Sequence, residues 1–107
     1  MEDVNYTYEK LMVAVSTLTG PGDIRARLLD AFISGLHVLG SNDFPEELRD
    51  DWLEIMQALT WLPAERDEGT AQRTVEAMSD DEAREVASQV FSLFLQVAER
   101  YCRAEES

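Results

Sequence analysis

Five carboxylates crowd the stretch "SNDFPEELRDDW" at residues 41–52: Asp43, Glu46, Glu47, Asp50 and Asp51. Acids this close together could ligate a divalent cation, present a docking face to a basic partner, or hold one side of a helix in water. Which of these they do depends on where they point. A magnesium or calcium ion needs several oxygen ligands converging on it, with further groups that orient them. If the segment is helical, at about 100° per residue, Leu48, Trp52, Ile55, Met56 and Leu59 gather on one side. Glu46, Glu47, Asp50 and Glu54 fall on the other, with Asp51 at the border. A single outward stripe does not enclose a cation. The pattern therefore predicts a solvated acidic face that could dock a basic protein and holds no metal.

Other residue types that carry chemistry are sparse. His37 is the only histidine, and it falls near Asp30 and Ser34 and away from the Ile24 and Phe32 side of its helix. It could act as a general base, but no nucleophile pattern such as G-x-S-x-G accompanies it, so an edge histidine is expected. No Glu-x-x-His pair of the di-iron type occurs. "GPGD" at 20–23 lacks the Walker pattern, and Asp23 sets a negative charge where an anion would dock, so it is a turn. Cys102, the single cysteine, can form neither an internal disulfide nor a zinc set with one histidine. Arg100 and Arg103 beside it are accounted for as charges suited to a helix C-terminus. Trp52 and Trp61 are expected at the core or its edge. No catalytic residue, metal or cofactor is predicted.

The elements that must position these residues are all helical. A first helix is predicted over 5–18, with Tyr8, Leu11, Met12, Val15 and Leu18 along one face. Gly20, Pro21 and Gly22 end it. A second opens near Asp23 and carries Ile24, Leu28, Phe32, Leu36 and Leu39. Asp43 and Glu46 have capping-box spacing, with Pro45 in the first turn of a third helix that stops by Pro63. A short fourth helix is expected over 70–78. Ser79 and Glu82 form a second capping box, acidic residues fill the turn after it, and Met78 with Ala83 suits a hydrophobic staple. The fifth helix is expected over 80–101, with frayed ends of the chain at about 1–4 and 103–107. Strand alternation and repeats are absent from the sequence. The fold class is all-α, an antiparallel four-helix bundle with one additional short helix, forming a single domain over 1–107.

The fifth helix is more apolar than a small bundle requires. Ala83, Val86, Val90, Leu93, Val97 and Tyr101 form one stripe; Ala87, Phe91, Leu95, Ala98 and Cys102 form a second, and Phe94 bridges them. Together they span roughly 200° of arc, against the ~100° that a surface helix needs. Either this helix is central and wrapped by the others, or its second stripe is an interaction surface, made of Phe91, Leu95, Ala98 and Cys102, that pairs with another copy.

A chain of 107 residues with 45% hydrophobic content suits one domain that buries roughly two-thirds of its unfolded surface. Against 22 acidic residues stand 9 basic ones, a net charge of −13. That field repels phosphate backbones and anionic lipid, so neither direct nucleic-acid binding nor membrane binding is expected. The start, "MEDVNYTYEK", is acidic and leads into an amphipathic pattern, unlike a signal or transit peptide, and a lone cysteine suits a reducing cytoplasm.

"EELRD" at 46–50 resembles the second metal-binding segment of MazG-like nucleotide pyrophosphatases, small acidic all-α enzymes that hydrolyse nucleoside triphosphates. The resemblance implies an ExxE pair on one helix and an ExxD pair on the next, jointly holding magnesium. Glu47 and Asp50 supply the ExxD. The preceding helix, "DIRARLLDAFISGLHVL", contains no glutamate, and the ExxE pairs Glu65 with Glu68 and Glu82 with Glu85 come later. Over nearly the whole chain, "RLLDAFISGLHVL", "DFPEELRDDWLEIMQALT" and "DEGTAQRTVEAMSDDEAREVASQVF" look like small all-helical bacterial proteins of unassigned function, a resemblance without a chemically specific motif. The resulting expectation is a non-enzymatic helical interaction module, an adaptor or regulator that self-associates as a homodimer and offers Glu46, Glu47, Asp50 and Glu54 to a basic partner. The alternatives are a MazG-like metal-dependent pyrophosphatase and an acidic DNA mimic. In the second case, Arg49, Arg66, Arg73 and Arg84 interrupt the run of charge that would have to imitate phosphates.

Overall fold

The computed structural model describes residues 4–63 and 69–106. Among them the secondary structure is entirely helical: α1 (Val4–Leu18), α2 (Ile24–Ser34), α3 (Arg49–Thr60), α4 (Thr70–Ala77) and α5 (Asp80–Glu106), with three 3-10 turns between α2 and α3. Among the described residues, no helix is long and apolar enough to cross a membrane.

The α1–α2 turn follows from its glycines and from Asp23. Gly20 N–H donates back to the Thr17 carbonyl at 3.1 Å. Gly22, at φ 100°, occupies the left-handed region that a residue without Cβ enters freely. Asp23 then caps α2, its carboxylate accepting from Ala26 N–H at 2.9 Å. Arg27 binds the turn by donating to the carbonyls of Gly22 and Leu18, at 3.0 and 2.7 Å.

Two expectations fail in the segment after α2. The second helix does not continue to Leu39; it ends at Ser34, and a 3-10 turn over Leu36–Val38 follows. Gly35 is the reason. A Cβ placed there would lie 2.4 Å from the Lys10 carbonyl oxygen, so the end of α2 abuts the α1 backbone and the chain must leave the helix axis. Leu36 and Leu39 are still buried, so the apolar spacing persists although the helix does not. Nor does Asp43 cap α3. Its carboxylate accepts from Gly40 N–H at 2.8 Å and closes the 3-10 turn Ser41–Asp43. Pro45 holds Phe44 extended, at φ −116° and ψ 150°, and the turn Glu46–Leu48 intervenes before α3 begins at Arg49. Phe44, absent from the predicted stripes, is fully buried and stacks on Trp52 at 4.9 Å. Arg49 Nε donates to the carbonyls of Ser41 and Phe44, both at 3.1 Å, which fixes the loop to α3.

The apolar face of α1 is also displaced from its expected position. Thr7, Leu11, Ala14 and Leu18 are buried, whereas Met12 is exposed. Thr7 faces inward because its hydroxyl donates to the Asp43 carbonyl at 2.7 Å, and Ala14 because α2 approaches too closely there for anything larger. Trp61, expected at the core edge, lies just past the end of α3 and is exposed. The predicted stop of α5 at Tyr101 is overrun: helix continues to Glu106. The residues after Tyr101 include no breaker, and Arg103 pairs with Glu99 one turn back. Of the frayed ends expected at about 1–4 and 103–107, residues 1–3 and 107 lie outside the described residues.

The first stripe of α5 forms the axis of the core, with Ala83, Val86, Val90, Leu93 and Val97 all buried. Tyr8, near the start of α1, stacks on Tyr101 at 4.1 Å and on Phe94 at 5.7 Å, while Val15 and Leu18 near its end share a groove with Ala87 and Phe91, so α1 and α5 run in opposite senses. α3 is antiparallel to α5 as well, since Glu47 meets Arg100 while Glu54 meets Gln89. At the base of α5, Ser79 Oγ accepts from Glu82 N–H at 3.1 Å, and Glu82 accepts from Ser79 N–H at 3.0 Å. That is the predicted capping box, atom for atom. Arg25 reaches from α2 to the Met78 carbonyl at 3.4 Å and to Asp80 at 3.6 Å.

Candidate interaction surface

α5 divides its wide apolar arc between core and water. Phe94 turns inward beneath Tyr8, and Ala87 and Ala98 are half-buried. Phe91 and Leu95 are 47% and 51% exposed, and Cys102 is exposed beyond them. Beside Phe91 a groove of about 410 Å³ opens toward α1 and α2, its walls formed by Val15, Leu18, Ile24 and Ala87. Met12 lies on the edge of α1 that carries Tyr8 and Val15, the edge turned to α5. The second stripe thus combines an exposed apolar pair with a shallow recess.

The four acids expected to offer a docking face lie on the 3-10 turn Glu46–Leu48 and on α3, where Asp50 and Glu54 are one turn apart. Glu47 is taken up by Arg100, whose guanidinium lies 2.6 Å away. Its own backbone N–H first, and Arg100 second, hold its carboxyl below the usual glutamate range. Glu46 and Asp50 are exposed. Glu54 instead joins Asp51 and Glu85 around a cleft of about 300 Å³ between α3 and α5, which continues past Ala58 and Val86 as a recess of about 410 Å³. Asp81 and Glu82 lie at the far end of that recess. Sequence reading missed Glu85 because its proximity to Glu54 depends on how α3 aligns with α5.

Of the residues carrying the pyrophosphatase resemblance, Glu47 is engaged by Arg100 and Asp50 lies in the first turn of α3. Glu82 caps α5, and Glu85 lines the cleft. Glu65 and Glu68 lie outside the described residues. Among the described residues, no three Asp, Glu, His or Cys side chains converge as metal ligands. His37 is not beside Asp30 and Ser34 on a helix as expected: it sits on the 3-10 turn, its Nδ1 3.2 Å from the Phe32 carbonyl oxygen, while Ser34 pairs with Thr17 at 3.2 Å.

Against family models, curated proteins and solved structures, the chain has no match.

Proposed function

We propose that this chain is a cytoplasmic adaptor or regulator that acts by protein–protein contact, built as an antiparallel four-helix bundle of α1, α2, α3 and α5 with α4 as the additional short helix, and that it pairs with a second copy through the outer stripe of α5. The observation carrying this reading is the exposure of Phe91 and Leu95 next to an apolar groove. Their surroundings favour pairing. Among residues three, four or seven positions from either one along α5, the charged ones are Arg84 and Glu99, one of each sign. A chain of net charge −13 tends to repel its own copies, and the residues flanking this strip, one charge of each sign, add no net charge to that repulsion. The 27 residues of α5 run roughly 40 Å, so a contact band roughly 20 Å wide along it approaches the roughly 800 Å² per partner of a standard interface. In a two-fold pairing, Leu95 of one copy fills the recess beside Phe91 of the other.

Leu95→Glu tests this directly. The substitution places a carboxylate in a contact that excludes water, and a two-fold interface suffers it twice. Light scattering after size exclusion should find the variant monomeric where the wild type is dimeric, with an unchanged far-UV circular dichroism spectrum. A variant that dimerises as the wild type does would overturn the interface, and one that unfolds would assign Leu95 to the core.

A further inference from the structure

We infer that the two copies lie antiparallel along α5, so that the charged start of one outer stripe meets the charged end of the other, a direction that rests on the proposed self-pairing through Phe91 and Leu95. Arg84, Ser88, Phe91, Leu95 and Cys102 recur along one exposed line of α5 at intervals of three, four and seven residues, while Ala83, Val90 and Val97 turn to the core. Each end of this line carries an ion pair: Asp81 with Arg84 at 3.0 Å, and Glu99 with Arg103. The side chains of Arg84 and Glu99 are 63% and 58% exposed, so both pairs are open to a further partner. Setting Leu95 of one copy beside Phe91 of the other places the two-fold axis level with Leu93. With the helices antiparallel, Arg84 then stands opposite Cys102 of the second copy and within three residue steps, roughly 4.5 Å along the axis, of its Glu99. Asp81 comes within two steps, roughly 3 Å, of Arg103 of the second copy. Glu85 stands two steps from both Glu99 and Arg103, one contact of each sign. Parallel helices about an axis along their length would bring every residue level with its own copy. Arg84 would face Arg84, Leu95 would stand a turn away from the recess beside Phe91, and the α5 dipoles would align where antiparallel ones oppose. Exposed ion pairs are individually weak, so the charges set the direction while the apolar pair supplies the association.

Cys102 makes the direction readable. Antiparallel pairing holds the two copies of Cys102 eighteen steps apart, roughly 27 Å, where a disulfide spans a Cα separation of at most ~7 Å. The full chain, at a concentration where it dimerises, is oxidised with diamide and the linked peptides are identified by mass spectrometry. Arg84→Cys should give a covalent dimer joined between position 84 of one copy and Cys102 of the other. Within one chain those positions are also roughly 27 Å apart along α5 and cannot link. The wild type should give no more disulfide dimer than Leu95→Glu. In a second measurement, by light scattering, Arg84→Glu and Glu99→Arg should each weaken dimerisation by about threefold or more, although the latter lowers the net negative charge. The double variant Arg84→Glu with Glu99→Arg keeps the wild-type net charge and should recover the loss. Circular dichroism checks that each variant folds. Disulfides between two Cys102 residues in the wild type, or an Arg84→Cys dimer that forms no link between positions 84 and 102, would overturn the antiparallel direction and leave the pairing itself standing. A double variant no better than the single ones would overturn it as well. A wild type that stays a single chain throughout would overturn the pairing and the direction together.

Discussion

Gly35→Ala is the substitution whose cost follows most directly from the structure. The added Cβ would stand 2.4 Å from the Lys10 carbonyl oxygen and 3.2 Å from both the Cβ and the amide nitrogen of Ala14. Cβ atoms essentially never approach another heavy atom within 3.0 Å, so α1 and α2 must part by roughly 0.6 Å at that point. The obstacle is backbone, which cannot swing aside as a long side chain can. Gly35 has φ −140°, so close approach and not left-handed backbone demands glycine here. Overpacking of this kind costs about 1–3 kcal/mol. Reduced freedom of the unfolded chain returns about 0.4–1 kcal/mol. The net destabilisation is about 1–2 kcal/mol, and at roughly 4–8 °C per kcal/mol the Tm should fall by about 5–15 °C. Thermal unfolding followed by far-UV circular dichroism measures it. Gly40→Ala is the matched control, because nothing lies within 4 Å of a Cβ built at that position, and it should melt at or slightly above the wild-type temperature. If Gly35→Ala melts as high as the wild type, or if the two variants melt alike, the close approach of α2 to α1 is refuted.

Ser79→Ala should lower stability by about 1 kcal/mol, read from the urea midpoint, since it removes the acceptor for the Glu82 N–H. Glu82 should contribute to acid sensitivity. Hydrogen bonds from the Ser79 backbone N–H and then its hydroxyl hold the carboxyl below its ordinary value of 4.5. A lowered folded-state value means the stabilisation is complete above the ordinary value and is lost as pH falls through the folded one. Glu82→Gln should therefore flatten the fall of the urea midpoint between about pH 5 and pH 3, and an unchanged slope would count against the box. Thr7→Val keeps the shape but strands the Asp43 carbonyl that Thr7 now satisfies at 2.7 Å, and should cost about 1–2 kcal/mol. A neutral Thr7→Val would show that water replaces the hydroxyl there.

Much of the fold was readable locally because local chemistry determines it. Ser79 and Glu82 announce the start of α5 by their spacing, and the atoms meet as that spacing requires. The apolar period of α5 identified its buried stripe, and the angular distance of Leu95 from Val86 and Leu93 anticipated its exposure. The end of α2 was not readable. Leu36 and Leu39 keep a helical spacing while lying on a 3-10 turn and beyond it, and what ends the helix is the carbonyl of Lys10 on another element. Phe44 was missed for a related reason: Pro45 delays the helix, and an extended residue before it reaches the core on Trp52. The acidic cleft lies further still from local pattern, since Glu54 and Glu85 become neighbours only through the alignment of α3 on α5.

The central claim is that two copies meet along the outer stripe of α5, and the mass of the wild type in solution tests it most directly. Light scattering across a concentration series into the high micromolar range should show the mass rising from that of one chain toward twice that value. Added salt should shift the rise to lower concentration, because it screens the repulsion between chains of net charge −13. A mass that stays at that of a single chain throughout, at low and high salt alike, would contradict the account.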